Sequence, residues 1–444
     1  MADSFSPPEI INRKGFNLDS DNKLRFEGVK LEDIAKEYDT PCYIYSENII
    51  RENCKRYNKT FENNKVDYEV LYAGKAFLVK ALCRILEDEG MGLDVSSGGE
   101  IYIALSAGFP ADRIYFHGNN KSEYEIRYAL ENNIGTMMID NRYELNLIND
   151  VAKELNKKVN IMIRIIPGVD THTHEKIRTG QVDSKFGFSI SELEEVLPLI
   201  EKKENLVYKG LHCHIGSQLL KVQFHLQAIV EMIQVIKKIE DRFNTKTANL
   251  NLGGGLGVRY TNDDEPVPIQ VFVDSIIKKI KETCKEYDLS LPKILIEPGR
   301  SIVAEAGITL YKVGAIKEIP NLRKYILVDG GMADNLRPSL YDAKYEALIV
   351  NKIGQPAVEE VTIAGKYCES GDILIKNIKL PEMDSGDLVV VFSTGAYHHS
   401  MASNYNGIPR LPVILVNQGK HGLIVKRETY QDIIYNQTLP SWLK

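Results

Sequence analysis

The 444-residue chain has only six cysteines, at positions 42, 54, 83, 213, 284 and 368. They show no Cys-x-x-Cys spacing and are too sparse for a disulfide framework. It also lacks an excess of either charge, with a net charge of −6 and both signs interspersed, so no nucleic-acid surface is expected. No run reaches the roughly 18 apolar residues needed to span a bilayer, and the start carries no basic-then-apolar leader, so no membrane partner and a cytoplasmic location are expected. There is no low-complexity tract and no internal repeat. What remains is ordinary for a folded protein, 43% hydrophobic and 26% charged, and long enough for two domains.

Between residues 66 and 300, short β-rich runs alternate with amphipathic helical patterns. Strands are expected at Glu69 to Tyr72, Gly92 to Val95, Arg113 to Phe116, Thr136 to Ile139, Val159 to Ile165, Tyr208 to His214, Ala248 to Leu252 and Lys293 to Glu297. Eight strands that each feed a helix predict an α/β fold, a (β/α)₈ barrel, with a doubly wound open sheet as the alternative. After residue 305 the runs are short, β-rich and separated by Gly, Pro and Asp turns, which predicts an all-β domain of sandwich or barrel type. The expected division is therefore a barrel over 45–305 and a β domain from 1–44 with 306–444.

Polar residues gather where barrel chemistry does, at the C-terminal ends of strands. Lys75 closes Tyr72-Ala73-Gly74-Lys75, and Asp94 is the next-to-last residue of the second run. Leu252-Gly253-Gly254-Gly255 follows the seventh strand as a turn whose backbone N–H groups could approach an anion. It is not a Walker loop, since no Gly-Lys-Ser/Thr follows. Glu297-Pro298-Gly299-Arg300 leaves the eighth strand with an acid and a guanidinium, which either form a structural ion pair or serve a ligand, the acid keeping a pyridine nitrogen protonated and the guanidinium binding an anion. His212-Cys213-His214 alternates, which places both imidazoles on one face of a strand. With no third ligand of matching spacing, no metal is expected, and His214 is better suited to stacking on a planar ligand. His172 and His174 lie in a segment running to Gly187 that reads as a mobile loop over the mouth. In the β region, Arg337 and Tyr341 share one loop, Tyr397 sits in another, and Cys368-Glu369-Ser370-Gly371-Asp372 sets a thiol beside a carboxylate.

Taken in order, Lys75, Asp94 with Ser97-Gly98-Gly99-Glu100, His212 to Ser217, the glycine turn, Glu297 to Arg300 and Cys368 to Asp372 closely resemble the fold type III pyridoxal-phosphate decarboxylases. The resemblance runs over nearly the whole chain and departs from the usual pattern at Gly74 and Phe77 beside the lysine, and at His398 and His399. It implies pyridoxal 5'-phosphate held covalently by Lys75 and bound by Asp94, His214, Ser217, Gly253, Gly254, Gly255, Glu297, Gly299, Arg300 and Tyr397. It implies substrate contacts from Arg300, Arg337, Tyr341, Glu369 and Tyr397, catalysis by Lys75 and Cys368, and a homodimer with shared active sites in which Cys368 and Glu369 arrive from the neighbour. Glu369 suits a distal ammonium and Arg337 with Arg300 a distal carboxylate, which favours meso-2,6-diaminopimelate, giving L-lysine and CO2. Ornithine, a D-amino acid and carboxynorspermidine are the alternatives within the same chemistry. A racemase is disfavoured by an acid at the ring nitrogen.

Overall fold

A computed structural model describes residues 13–168 and 184–443. His172 and His174, with most of the segment read as a loop over the mouth, lie outside the described residues. The chain divides into two compact units, one of Arg51–Val258 with Asp264–Ile302 and the other of Met1–Ile50, Arg259–Asp263 and Val303–Lys444.

The first unit is a closed barrel of eight parallel strands, Tyr68–Ala73, Gly92–Val95, Ile114–Phe116, Thr136–Ile139, Val159–Arg164, Leu206–His212, Asn249–Asn251 and Lys293–Ile296. Closure is sealed by the last strand pairing with the first, Ile294 opposite Tyr68 and Ile296 opposite Val70. The open-sheet alternative is therefore excluded. Parallel strands require covered faces, and helices such as Lys80–Asp88, Arg142–Glu154, Gln223–Phe243 and Ile269–Glu286 supply the cover. Ser97, Ser122 and Asn141 start the barrel helices Gly98–Ser106, Glu123–Glu131 and Arg142–Glu154 by accepting a backbone N–H from the residue three further on. Leu71, Tyr115, Met138, Met162 and Leu295, from five different strands, form a buried cluster that fills the barrel.

The second unit is built on a nine-stranded sheet and a separate three-stranded one. Gly307–Ile319 is its longest strand and pairs with Cys42–Ser46, Arg323–Val328 and Leu388–Val391. Cys42–Ser46 also pairs in parallel with Val413–Asn417, so a strand from the start of the chain sits inside a sheet made mostly from its end. The edge strand Ile373–Leu380 escapes sequence reading, because Lys376, Asn377 and Lys379 break its apolar alternation. Among the described residues, no helix is long and apolar enough to cross a membrane.

Candidate active site at the barrel mouth

Every strand of the barrel ends in, or within two residues of, a polar side chain. In chain order these are Lys75, Asp94, His117, Asp140, Arg164, His212, Asn251 and Glu297. The geometry follows from parallel strands, whose C-terminal ends all open on one rim.

Glu297 is the centre of this ring. It is 5% exposed and follows directly on the last strand. Asn251 Nδ2 donates to its Oε1 at 2.6 Å, His117 Nε2 lies 2.9 Å from the same oxygen, and His212 Nε2 lies 3.2 Å from Oε2. Burial alone would raise the Glu297 pKa, but His117 and His212 outweigh it and hold the carboxyl well below its ordinary range. Burial alone would lower the pKa of His117. Asp94, whose Oδ1 is 3.7 Å from its Nε2, and Glu297 together raise it above the ordinary value. For His212, burial wins against Glu297 and the pKa falls to about 4. The carboxylate is thus flanked by two imidazoles shifted in opposite directions, His117 toward its own charged form and His212 toward its own neutral form.

The chain ends the sixth strand at His212, so His212 and His214 do not share a strand face as the alternation predicts. His212 faces Glu297, whereas His214 lies beyond the strand and its Nδ1 accepts the Gly254 N–H at 3.2 Å. Cys213, fully buried, has its thiol pushed up to about 12 by burial. His117, His212 and Glu297 have ligand atoms within 4.8 Å of one another, a third ligand that spacing along the chain could not show. Within this cluster His212 is hydrogen-bonded to Glu297, whereas His117 meets it as an ion-pair contact at 2.9 Å.

The glycine turn is dictated by close packing. A Cβ on Gly253 would lie 2.6 Å from the Cys213 carbonyl oxygen, on Gly254 2.1 Å from the Glu297 carbonyl oxygen, and on Gly255 2.5 Å from the Gly216 carbonyl oxygen. Gly253 also has φ of +67°. Two of the turn's N–H groups are engaged within the protein, Gly253 with Asn251 Oδ1 at 2.9 Å and Gly254 with His214. Gly299 packs against Ala73, where a Cβ would lie 3.0 Å from the alanine Cβ. Arg300, 4% exposed, donates to Ser217 Oγ from Nε at 3.2 Å and from an Nη at 2.9 Å. Lys75 is exposed in the short turn Gly74–Ala76 after the first strand. Glu100 reaches back to the Ser96 N–H, and burial raises its pKa to about 6.

The remaining expected site residues lie in the second unit. Arg337 is 5% exposed and begins the short helix Arg337–Tyr341. Its Nε donates to Tyr345 Oη at 2.9 Å, and its guanidinium lies 5.2, 5.5 and 5.8 Å from the ring centres of Tyr341, Tyr397 and Tyr260. Among the described residues no carboxylate pairs with it. Tyr397 is held at φ +64°, a strained conformation for a non-glycine residue. Cys368 and Glu369 are exposed on their loop, and Cys368 is the one exposed cysteine of the six, all free.

The donor set fits pyridoxal phosphate. A barrel-rim amine stands with a buried carboxylate held as an anion, a turn that excludes side chains and a guanidinium–hydroxyl pair. Asp94 Oδ1 is buried with no hydrogen-bond partner among the described residues. Fold and site together define a pyridoxal-phosphate enzyme of the barrel type. A family model, the pyridoxal binding domain of pyridoxal-dependent decarboxylases, matches residues 47–304. A diaminopimelate decarboxylase from Bacillus subtilis is 48% identical, covering 93% of this chain and 94% of the relative. The corresponding Staphylococcus aureus protein is 45% identical, covering 94% and 98%. A crystal structure of diaminopimelate decarboxylase from M. jannaschii in co-complex with L-lysine superimposes with a TM-score of 0.91 at 34% identity, covering 97% of this chain and 99% of that one. The chain belongs to the diaminopimelate decarboxylase family of pyridoxal-dependent decarboxylases.

Sequence reading missed His117, Asp140, Arg164 and Asn251. Their common signal was available, since each is the first or last polar residue at a strand's C-terminal end.

Proposed function

We propose that the protein decarboxylates meso-2,6-diaminopimelate to L-lysine and CO2, the last step of lysine formation, as a cytoplasmic homodimer with shared active sites. The observation that carries the substrate assignment is Arg337, a buried guanidinium with no carboxylate partner among the described residues. A buried cation without a counter-ion costs several kcal/mol, and a substrate carrying a second carboxylate removes that cost. Ornithine and lysine carry no such group. The L-lysine held by a structural relative supports the same product. Free cysteines, one of them exposed, suit a reducing compartment.

Pyridoxal phosphate, when bound, supplies an electron sink for the pair left by the departing carboxylate. Lys75 is the residue that would hold it covalently, through Nζ. Glu297 keeps a proton at the ring nitrogen, which requires the carboxylate to be ionised, the form that His117 favours. His214 supports the ring, while Asp94, Ser217, Gly253 to Gly255, Gly299, Arg300 and Tyr397 complete the cofactor pocket. Arg300, Arg337, Tyr341 and Tyr397 bind the substrate, and Glu369 receives its distal ammonium. Cys368 Sγ returns a proton to the carbon that lost CO2. Both loop residues act in the partner's site.

The test is CO2 release from meso-diaminopimelate, L-ornithine, L-lysine and L-arginine by purified protein with pyridoxal phosphate. Release from diaminopimelate alone is expected. Release from ornithine but not diaminopimelate would overturn the substrate assignment.

A further inference from the structure

Cys368 and Glu369 are exposed, yet their loop is fastened at both ends by a residue that none of the roles above uses. Asp372 is 3% exposed. Its Oδ2 accepts the Tyr367 N–H at 2.8 Å, closing the loop on itself, and its Oδ1 accepts the Met332 N–H at 2.6 Å, tying the loop to a distant segment. The seat is shaped for this carboxylate: a Cβ on Gly331 would lie 2.4 Å from Oδ1 and one on Gly365 2.3 Å from Oδ2.

The same segment carries Arg337, and further bonds join it to the loop. The Lys366 N–H donates to the Gly330 carbonyl at 3.0 Å. Tyr367 Oη donates to Asp334 Oδ1 at 3.3 Å, while Asp334 Oδ2 accepts the Gly331 N–H at 2.8 Å. Ser339, on the helix between Arg337 and Tyr341, donates its hydroxyl to the Gly371 carbonyl at 2.7 Å. Between these anchors Cys368 donates its N–H to Asn406 Oδ1 at 2.8 Å. Two N–H donors from separate segments converge on one side chain, which calls for an acceptor-only group. A carboxylate is one, whereas an amide of the same size presents an NH2 to one of them.

We propose that Asp372 is a positioning residue for decarboxylation: its carboxylate fixes the Cys368 thiol and Glu369 on the scaffold that carries Arg337. The inference rests on the roles proposed above for Cys368 and Glu369. A loop released from this tie leaves the thiol present but displaced, and a displacement on the order of 1 Å costs about 10²-fold in rate.

The test uses the holoenzyme and the isosteric variant Asp372→Asn, with Ser339→Ala as a second variant that removes only the exposed Gly371 anchor. Three quantities are read: the rate at which 5,5′-dithiobis(2-nitrobenzoate) modifies Cys368, kcat with meso-diaminopimelate, and cofactor affinity by absorbance. The other five cysteines are buried, so the fast-reacting thiol reports on the loop. Asp372→Asn is expected to lower kcat by about 10²-fold and to change the thiol rate several-fold, with cofactor affinity unchanged. Ser339→Ala is expected to change the thiol rate in the same direction at an unchanged melting point. Unchanged thiol rate and kcat in the folded Asp372→Asn protein would overturn the proposal, as would loss of cofactor affinity in parallel with kcat, the mark of general misfolding. If Asp372→Asn does not fold, an unaltered thiol rate in Ser339→Ala overturns it. Full activity in Cys368→Ala would instead remove the thiol's proposed role, while the modification rates would still report on the tie.

Discussion

Replacing His117 with alanine removes the closest charged partner of Glu297 and isolates what holds that carboxylate ionised. The two groups are 2.9 Å apart and both are buried. At an effective dielectric constant of about 20, unit charges at that distance attract by about 6 kcal/mol, much of which offsets their desolvation. Breaking such a pair by removing one partner costs about 3–5 kcal/mol. If the barrel unit, roughly 250 residues, melts as one body, its unfolding entropy is about 0.5 kcal/mol/K, so the melting point of His117→Ala should fall by about 6–10 °C at pH 7. The pH dependence gives a second handle. The His117 pKa is raised in the folded state, so its contribution is fully present below the unfolded value of about 6.5 and is lost as pH rises through the folded value. Thermal melts of the apoprotein from pH 6 to pH 9 should therefore show this downward component in the parent protein and not in the variant. A His117→Ala protein that melts within about 1 °C of the parent at pH 7 and keeps the same pH dependence would show that His117 does not hold Glu297 ionised.

The two imidazoles on Glu297 should titrate on opposite sides of pH 6.5, His117 above it and His212 near 4; selectively labelled imidazole resonances that titrate together would contradict this. Gly254→Ala sets a Cβ 2.1 Å from the Glu297 carbonyl oxygen and should abolish cofactor binding in an absorbance titration, whereas Gly371→Ala, with nothing within 4 Å, should leave it intact. Arg337→Gln should raise KM for meso-diaminopimelate about 10- to 150-fold, the equivalent of a charged hydrogen-bond contact worth about 1.5–3 kcal/mol. An unchanged KM would remove Arg337 from substrate binding.

The barrel was legible in the sequence because each strand is a compact apolar run followed by a helical pattern, and the predicted strands match those observed to within two residues at either end. Periodicity could not show which side chains converge. His117, Asn251 and His212 come from the third, seventh and sixth strands, and they meet at Glu297 only because the barrel closes. Spacing likewise suggested that the glycine turn serves a ligand, whereas the immediate demand on Gly254 is the Glu297 backbone 2.1 Å from where its Cβ would be. Local alternation misled at His214, since the sixth strand stops at His212. Asp372 was visible as part of a motif, but its partner Met332 lies 40 residues away and no pattern along the chain connects them.

The proposed role of Lys75 puts the cofactor chemistry at the barrel rim. Borohydride reduction of the holoenzyme, followed by proteolysis and mass spectrometry, tests it directly. One pyridoxyl group per chain is expected, on the peptide containing Lys75. A pyridoxyl group on a different lysine, or none, would contradict it.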